Sequence, residues 1–185
     1  EMLAINLGNR INIPSVAMRF SIVQGSRQSF YNAYSGACRI FSLSYFLNKP
    51  PTVYEDGNSI RDFVNIHDVV DALILVMENE EANGQVYNVG GGKPYKVLEF
   101  AKAVAEVFGS DLAPVVPNEY RFGDTRHIFS DIRKLKSLGW EPKRTIYDSI
   151  KEYKDYLEQQ TDINDILEYS EKHMRSLGVI RRVPK

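Results

Sequence analysis

Cysteine is almost missing from this sequence. Cys38 is the only one in 185 residues, which excludes a disulfide framework and any cysteine-based zinc site. Histidine is nearly as scarce. His67, His127 and His173 stand far apart, and none has a carboxylate or cysteine at ligand spacing, so no metal site is expected. An excess of either charge is missing too. Lys and Arg total 23 against 24 Asp and Glu, a formal net charge of -1. With no basic surplus to neutralise a run of phosphates, extended nucleic-acid binding is excluded. A pair of arginines on one small anion remains compatible with that balance. No apolar run approaches the roughly 20 residues of a membrane-spanning helix, and no charged, apolar, cleavable leader is visible. The expectation is therefore a cytoplasmic domain without a membrane partner. There is no internal repeat and no low-complexity tract.

What the sequence does have is apolar residues at 43%, enough for one sizeable core. Its most informative stretch is 53–68. Val53 and Tyr54 read as a strand end, Asp56-Gly57-Asn58 as a polar turn, and the run from Ile60 as a second strand. That strand carries Arg61 at its entrance. At His67-Asp68 it enters a helix patterned by Val69, Ala72, Leu73, Val76 and Met77, with Asp68 or Asn65 as the N-cap. An arginine at a strand entrance beside a turn can grip a phosphate or carboxylate with two prongs.

Taken in order, the chain opens with a helical apolar pattern, Met2, Leu3, Ile5 and Leu7, with no polar residue ahead to cap it. This start suggests a helix entered midway and a longer protein upstream. Residues 15–23 form a short, mostly apolar run, read as one strand buried on both faces. The polar loop 24–29 leaves its C-terminal end, where open α/β sheets bind ligands. Asn32 precedes a helix carrying Ala37, Ile40, Phe41, Ser44 and Leu47 on one face. It is either that helix's N-cap or a contact to an anion at the helix start. Gly90-Gly91-Gly92 follows the strand 86–89, but its spacing does not fit a dinucleotide loop and Lys93-Pro94 comes next, so it reads as a tight turn. Leu98, Ala101, Ala105 and Phe108 make a helical core stripe ended by Gly109. The segment 113–117, with two prolines, reads as an extended edge.

Residues 120–127 are the second informative stretch. Arg121, Gly123, Asp124 and Arg126 in an irregular segment add nothing to a core, and such segments carry function more often than helices do. The alternative is a solvated ion-pair loop, worth at most about 1 kcal/mol. Trp140 is read as the packing contact after the glycine stop at Gly139, and Thr145 as the cap of a helix bearing Ile146, Ile150, Tyr153 and Leu157. A last amphipathic segment, with Ile163, Ile166, Leu167, Met174 and Leu177, ends at Gly178. It packs on the domain or serves a partner chain.

Three motifs together resemble one family. Glu55-Asp56-Gly57 with the run from Arg61 to Val70, the segment 19–25, and Arg121-Phe122-Gly123-Asp124 are similar to signatures of the extended short-chain dehydrogenase/reductases. More narrowly they resemble the nucleotide-sugar epimerases and dehydratases, nearest to 4-epimerases acting on UDP-glucose or dTDP-rhamnose type substrates. The resemblance implies an α/β fold: the C-terminal part of a Rossmann-like NAD-binding domain with a small α/β substrate-binding domain. It divides the chain into a Rossmann remnant at 1–29, a nucleotide-sugar-binding part at 30–160 with 60–80 returning to the Rossmann sheet, and a helical tail at 161–185.

The same resemblance assigns roles. Phe20 and Val23 lie beneath the nicotinamide of NAD. Asn32, Arg61 and Arg121 hold the diphosphate, Asp124 accepts a ribose hydroxyl, and Thr52, Val53 and Tyr54 meet a pyrimidine base. Many relatives carry an asparagine where Ile22 stands. The family's tyrosine base takes a hydroxyl proton while hydride moves from C4 of the sugar to NAD and returns to the other face. Neither the glycine-rich NAD motif nor a matching Tyr-x-x-x-Lys occurs here. No catalytic residue is therefore assigned to this chain, and a missing N-terminal half and a homodimer are implied. A dehydratase, a decarboxylase or a non-catalytic nucleotide-sugar binder are the alternatives.

Overall fold

The structure is a computed structural model, and it describes residues 1–29, 36–161, 163 and 167–182. It is an α/β arrangement in which short parallel strands lie between helices. Helix α1 (Met2–Arg10) has no side-chain cap and exposes Leu3 and Leu7. Strands β1 (Ala17–Phe20) and β2 (Ile22–Gln24) follow, then helix α2 (Ala37–Phe46), strand β3 (Ile60–Asn65) and helix α3 (Ile66–Glu78). Strand β4 (Val86–Val89) runs parallel to β1, β2 runs parallel to β3, and β5 (Pro94–Lys96) pairs antiparallel with β3.

The run 15–23 is not one strand buried on both faces. It breaks at Ser21, whose hydroxyl contacts Asp62 at 2.7 Å and Ser130 at 2.6 Å. This lets the chain pass from pairing with β4 to pairing with β3. Arg19 and Phe20 are exposed, and the Arg19 guanidinium reaches the Glu1 carboxylate at 2.7 and 2.8 Å. Asp62 is the buried post of this crossing. Its carboxylate accepts bonds from Ser21, from the Gly91 amide at 2.8 Å and from the Ser130 amide at 3.2 Å. The glycine cluster is a turn, as expected, and close packing explains its composition. A Cβ on Gly91 would stand 1.8 Å from the Phe63 carbonyl oxygen.

Helix α3 is capped by Asn65, whose side chain accepts the His67 amide at 2.8 Å. Asp68 lies inside the first turn, buried, and accepts the Arg144 guanidinium at 2.7 Å. Helix α4 (Val97–Phe108) ends on Gly109 in the left-handed region at φ 63°. Beyond it come β6 (Glu119–Arg121), α5 (Arg133–Lys136) and α6 (Ile146–Glu158), the last opened by a reciprocal Thr145–Asp148 cap. The chain's tail carries α7 (Leu167–Ser176) and β7 (Ile180–Arg182).

Two apolar clusters form the core. One gathers Phe41, Leu43, Phe63, Phe100, Val104, Ile150 and Tyr153, from α2, β3, α4 and α6. The other gathers Val64, Val69, Ala72, Tyr87, Val89, Leu135 and Trp140, from β3, α3, β4, α5 and the segment after it. Trp140 is buried as expected, with its indole N–H on the Asp68 carbonyl at 3.0 Å. Strand β3 contributes to both clusters, so it is the rigid element from which Arg61 projects.

Candidate functional site: an arginine-lined cavity

A cavity of about 590 Å³ opens beside the entrance of β3, within the size range of small-molecule sites. Thr52, Tyr54, Arg61, Arg121 and Asp124 all line it. The structure thus brings together five of the residues singled out in the sequence, from three separate segments. Their neighbours in the wall are Ile40, Phe41 and Ser44 on α2, Ile22 on β2, and Leu167, Glu171 and Met174 on α7.

Arg61 is held by its Nη1, which donates to the carbonyls of Ile60 at 2.9 Å and Arg126 at 2.8 Å. Among the described residues, no partner engages its Nη2 or Nε. Burial holds its proton affinity below the ordinary guanidinium value. The charge of Asp124 opposes that shift and the charge of Arg121 adds to it, so the two arginines lie within each other's field. Arg61 nonetheless remains cationic, since a guanidinium does not deprotonate in proteins. Arg121 is turned toward Asp124, with Nε at 2.9 Å and Nη2 at 2.6 Å from one carboxylate oxygen. Its guanidinium also stands 5.8 Å from the centre of the Tyr54 ring, within cation–π range. Burial pushes the Tyr54 phenol up to about 12, so it stays protonated and able to donate.

The turn beneath Arg61 is tied down by a residue of the second motif. Arg126 pairs with Glu55 and, at 2.7 Å, with Asp56, so that its own carbonyl faces Arg61. His127 accepts the Ile60 amide through Nδ1 at 3.3 Å. The stretch 120–127 is therefore only partly irregular. Glu119, Tyr120 and Arg121 form β6, paired antiparallel with β7 of the tail, which is not purely helical as the sequence suggests. Strand pairing presents Arg121 on a defined backbone, which a free loop could not do.

Thr52 makes a parallel bridge to Val115, in which the Val53 amide donates to the Val115 carbonyl at 2.8 Å. Val53 itself is fully buried and takes no part in the cavity wall, its amide already committed. Alternation along the extended backbone turns Thr52 and Tyr54 to the opposite side. Phe20 and Val23 lie away from this cavity. Phe20 is half exposed at the end of β1, and Val23 packs against the cluster around Val64. Asn32 lies outside the described residues.

The family model described as GDP-mannose 4,6 dehydratase matches residues 1–153. The chain belongs to that family. It is thereby a member of the NAD-dependent epimerase/dehydratase group of short-chain dehydrogenase/reductases, with the α/β fold those proteins share. It is similar to a dTDP-L-rhamnose 4-epimerase of Burkholderia thailandensis, 33% identical over 80% of this chain and 41% of that protein. The crystal structure of a UDP-glucose 4-epimerase with UDP-glucose from Thermotoga maritima superposes with a TM-score of 0.79 at 30% identity, over 85% of this chain and 50% of that one. A UDP-N-acetylglucosamine 4-epimerase from Methanobrevibacter ruminantium M1, in complex with UDP-N-acetylmuramic acid, gives a TM-score of 0.80 at 25% identity, over 87% of this chain and 51% of that one. The chain thus spans about half the length of these family members or less.

Sequence reasoning missed several contributions to the cavity, Lys49, Glu55 and the face of α7 among them. Glu55 lines it from the turn, and its sign in the sequence was its place in the Glu-Asp-Gly motif opposite a distant arginine. The face of α7 was visible as an amphipathic stripe, but nothing local told whether it would meet this cavity. No group of three or more His, Cys, Asp or Glu among the described residues could hold a metal ion. No described helix is long and apolar enough to cross a membrane.

Proposed function

We propose that this chain is the substrate-binding C-terminal part of an NAD-dependent nucleotide-sugar epimerase, acting at C4 by transient oxidation. The observation that carries the reading is the convergence of Arg61, Arg121, Asp124, Thr52 and Tyr54 on one cavity. Arg61 offers an unengaged guanidinium edge to a diphosphate, and Arg121 adds a second cation beside it. Asp124, already accepting from Arg121, has a second oxygen for a ribose hydroxyl. Thr52 and Tyr54 flank the base, with Val53 supporting them from the core. Asn32 is the proposed further contact to the diphosphate. The T. maritima relative is named for UDP-glucose and was solved with it, and the B. thailandensis relative is named for a dTDP-sugar. A UDP- or dTDP-sugar is accordingly the proposed substrate class.

A binding half of this kind contributes to catalysis by position. Binding energy from the non-reacting nucleotide keeps the sugar at the reacting centre while its ring is free to present either face. Phe20, half exposed at the C-terminal end of a parallel strand, fits the flank of a planar ring. Val23 would support it from the packed side of β2. NAD, when bound, supplies the acceptor and donor for the hydride, and the base belongs to the preceding half of the protein. The groove between β1 and α3, about 470 Å³ and lined by Met18, Phe20, Leu73 and Met77, is an apolar face that such a half would cover. The proposed division puts 1–29 and 60–80 on the cofactor side, with Tyr87, Val89, Leu135 and Trp140 packed against Val64 and Val69 there, and the rest of 30–160 around the substrate. A homodimer in the cytoplasm completes the proposal.

The family model is described by a 4,6-dehydratase, so a dehydratase is the second reading. Full-length protein incubated with NAD and UDP-glucose, or with dTDP-sugars, decides between them by NMR of the product. A C4 epimer is expected, and a 4-keto-6-deoxy sugar would select the dehydratase. If no UDP- or dTDP-sugar raises the melting temperature, the substrate assignment fails.

A further inference from the structure

The family match ends at residue 153, yet the cavity does not. Leu167, Ser170, Glu171 and Met174 of α7 form one of its walls. We propose that the tail, α7 and β7, is a strap completing the nucleoside-diphosphate site, and that Arg175 is the positioning residue that docks it. This rests on the nucleotide reading above and extends it to a segment that reading does not use.

Three contacts tie the tail to the strand that bears Arg121. Strand β7 pairs with β6 in the register Arg121 to Ile180. The Phe122 amide donates to the Val179 carbonyl at 2.7 Å. Arg175 sets its fork on the buried Glu119, with Nη1 at 3.1 Å and Nη2 at 2.7 Å from the two carboxylate oxygens. Two-pronged pairs of this type fix geometry as well as add energy. The same guanidinium reaches Glu171, at 2.7 Å from Nη2 and 3.0 Å from Nε, and Glu171 faces the cavity. The field of Glu171, after burial, helps raise the Tyr54 phenol, which places α7 at the Tyr54 end of the site. The strap therefore holds Arg121 on one side and closes over the nucleoside on the other.

The attachment is narrow. Of α7 and β7, only Ser170, Met174 and Ile180 are buried, and Tyr169 and, just past α7, Leu177 stand exposed. An element held by so few buried groups opens at a small fraction of the cost of global unfolding. A ligand touching both the body and the tail binds the docked form in preference, and so stabilises it.

The test uses full-length protein and UDP as the probe, with hydrogen exchange and calorimetry on the same samples. With UDP at 100 times its Kd, exchange from residues 167–182 is expected to slow at least about fivefold, the lower end of ordinary coupling between sites. Arg175→Met is expected to weaken UDP binding at least about fivefold and to abolish that protection, with Arg175→Lys in between. If UDP binds and Arg61→Met weakens it, but the tail exchanges equally with and without UDP or Arg175→Met binds UDP like the parent, the strap is refuted and the nucleotide site stands. If the parent protein binds no UDP at all, both fall together.

Discussion

Replacing Arg61 by methionine keeps an unbranched apolar stem and removes the guanidinium with its charge and donors. In the free protein the loss is two bonds from Nη1, to the Ile60 and Arg126 carbonyls, a net cost of about 1–3 kcal/mol for the two. In the complex the loss is larger, because the unengaged Nη2 and Nε would face a phosphate. Hydrogen bonds to charged groups contribute about 1.5–3 kcal/mol. At 1.4 kcal/mol per decade, the Kd for UDP should rise roughly 10- to 150-fold. Uridine, which lacks the diphosphate, is the internal control, and its affinity should change by less than about threefold. Calorimetry with both ligands separates loss of the grip from loss of the fold. A double variant with Arg121→Met should depart from additivity by more than about 0.5 kcal/mol if both side chains hold one anion. Equal losses for UDP and uridine, or a UDP affinity within twofold of the parent, would refute the role assigned to Arg61.

Three further outcomes follow from the packing. Gly91→Ala places a methyl against the Phe63 carbonyl oxygen and should destabilise by about 3 kcal/mol or more, read as a lower urea midpoint. Asp62→Asn turns an amide N–H toward donors from Ser21, Gly91 and Ser130 and should cost about 2–3 kcal/mol by the same assay. An unchanged midpoint in either variant would contradict the crossing at Ser21. The hydrogen bonds from Arg175, ahead of the opposing effect of burial, hold the Glu119 carboxyl below its ordinary value. An unfolded glutamate titrates near about 4.3, so between that pH and the lower native value the unfolded chain binds more protons. The contribution of Glu119 is complete above about pH 4.3 and is lost as pH falls through its native value. Glu119→Gln should flatten this part of the acid limb in denaturant titrations from pH 6 to 3, and an identical limb would show that the pair contributes nothing.

Much of the site was legible from residues alone, because its chemistry sits in short contiguous runs. The turn before Arg61, the strand after it and the helix capped by Asn65 are written in turn and cap residues, which act over three or four positions. The pairing of Arg61 with Arg121 came from family resemblance, and the shared cavity agrees with it. Other expectations failed where a distant group intervened. Residues 15–23 have the apolar pattern of one strand, but Ser21 is bent aside by Asp62, which lies 41 positions away. Of the two cap candidates Asp68 and Asn65, the sequence alone did not choose; Arg144 takes the Asp68 carboxylate, and Asn65 is the cap.

By itself, the sequence determined most of the local elements, the lack of any disulfide within these residues, and two arginine-bearing segments able to grip an anion. Side-chain type and periodicity decide those features within a few residues. Tertiary structure alone decided that β3 spans both core clusters, that Arg126 supports Arg61 by way of Glu55 and Asp56, and that the C-terminal tail walls the cavity. Each of those depends on contacts between residues far apart in the chain, whose geometry exists only once the core has closed around β3.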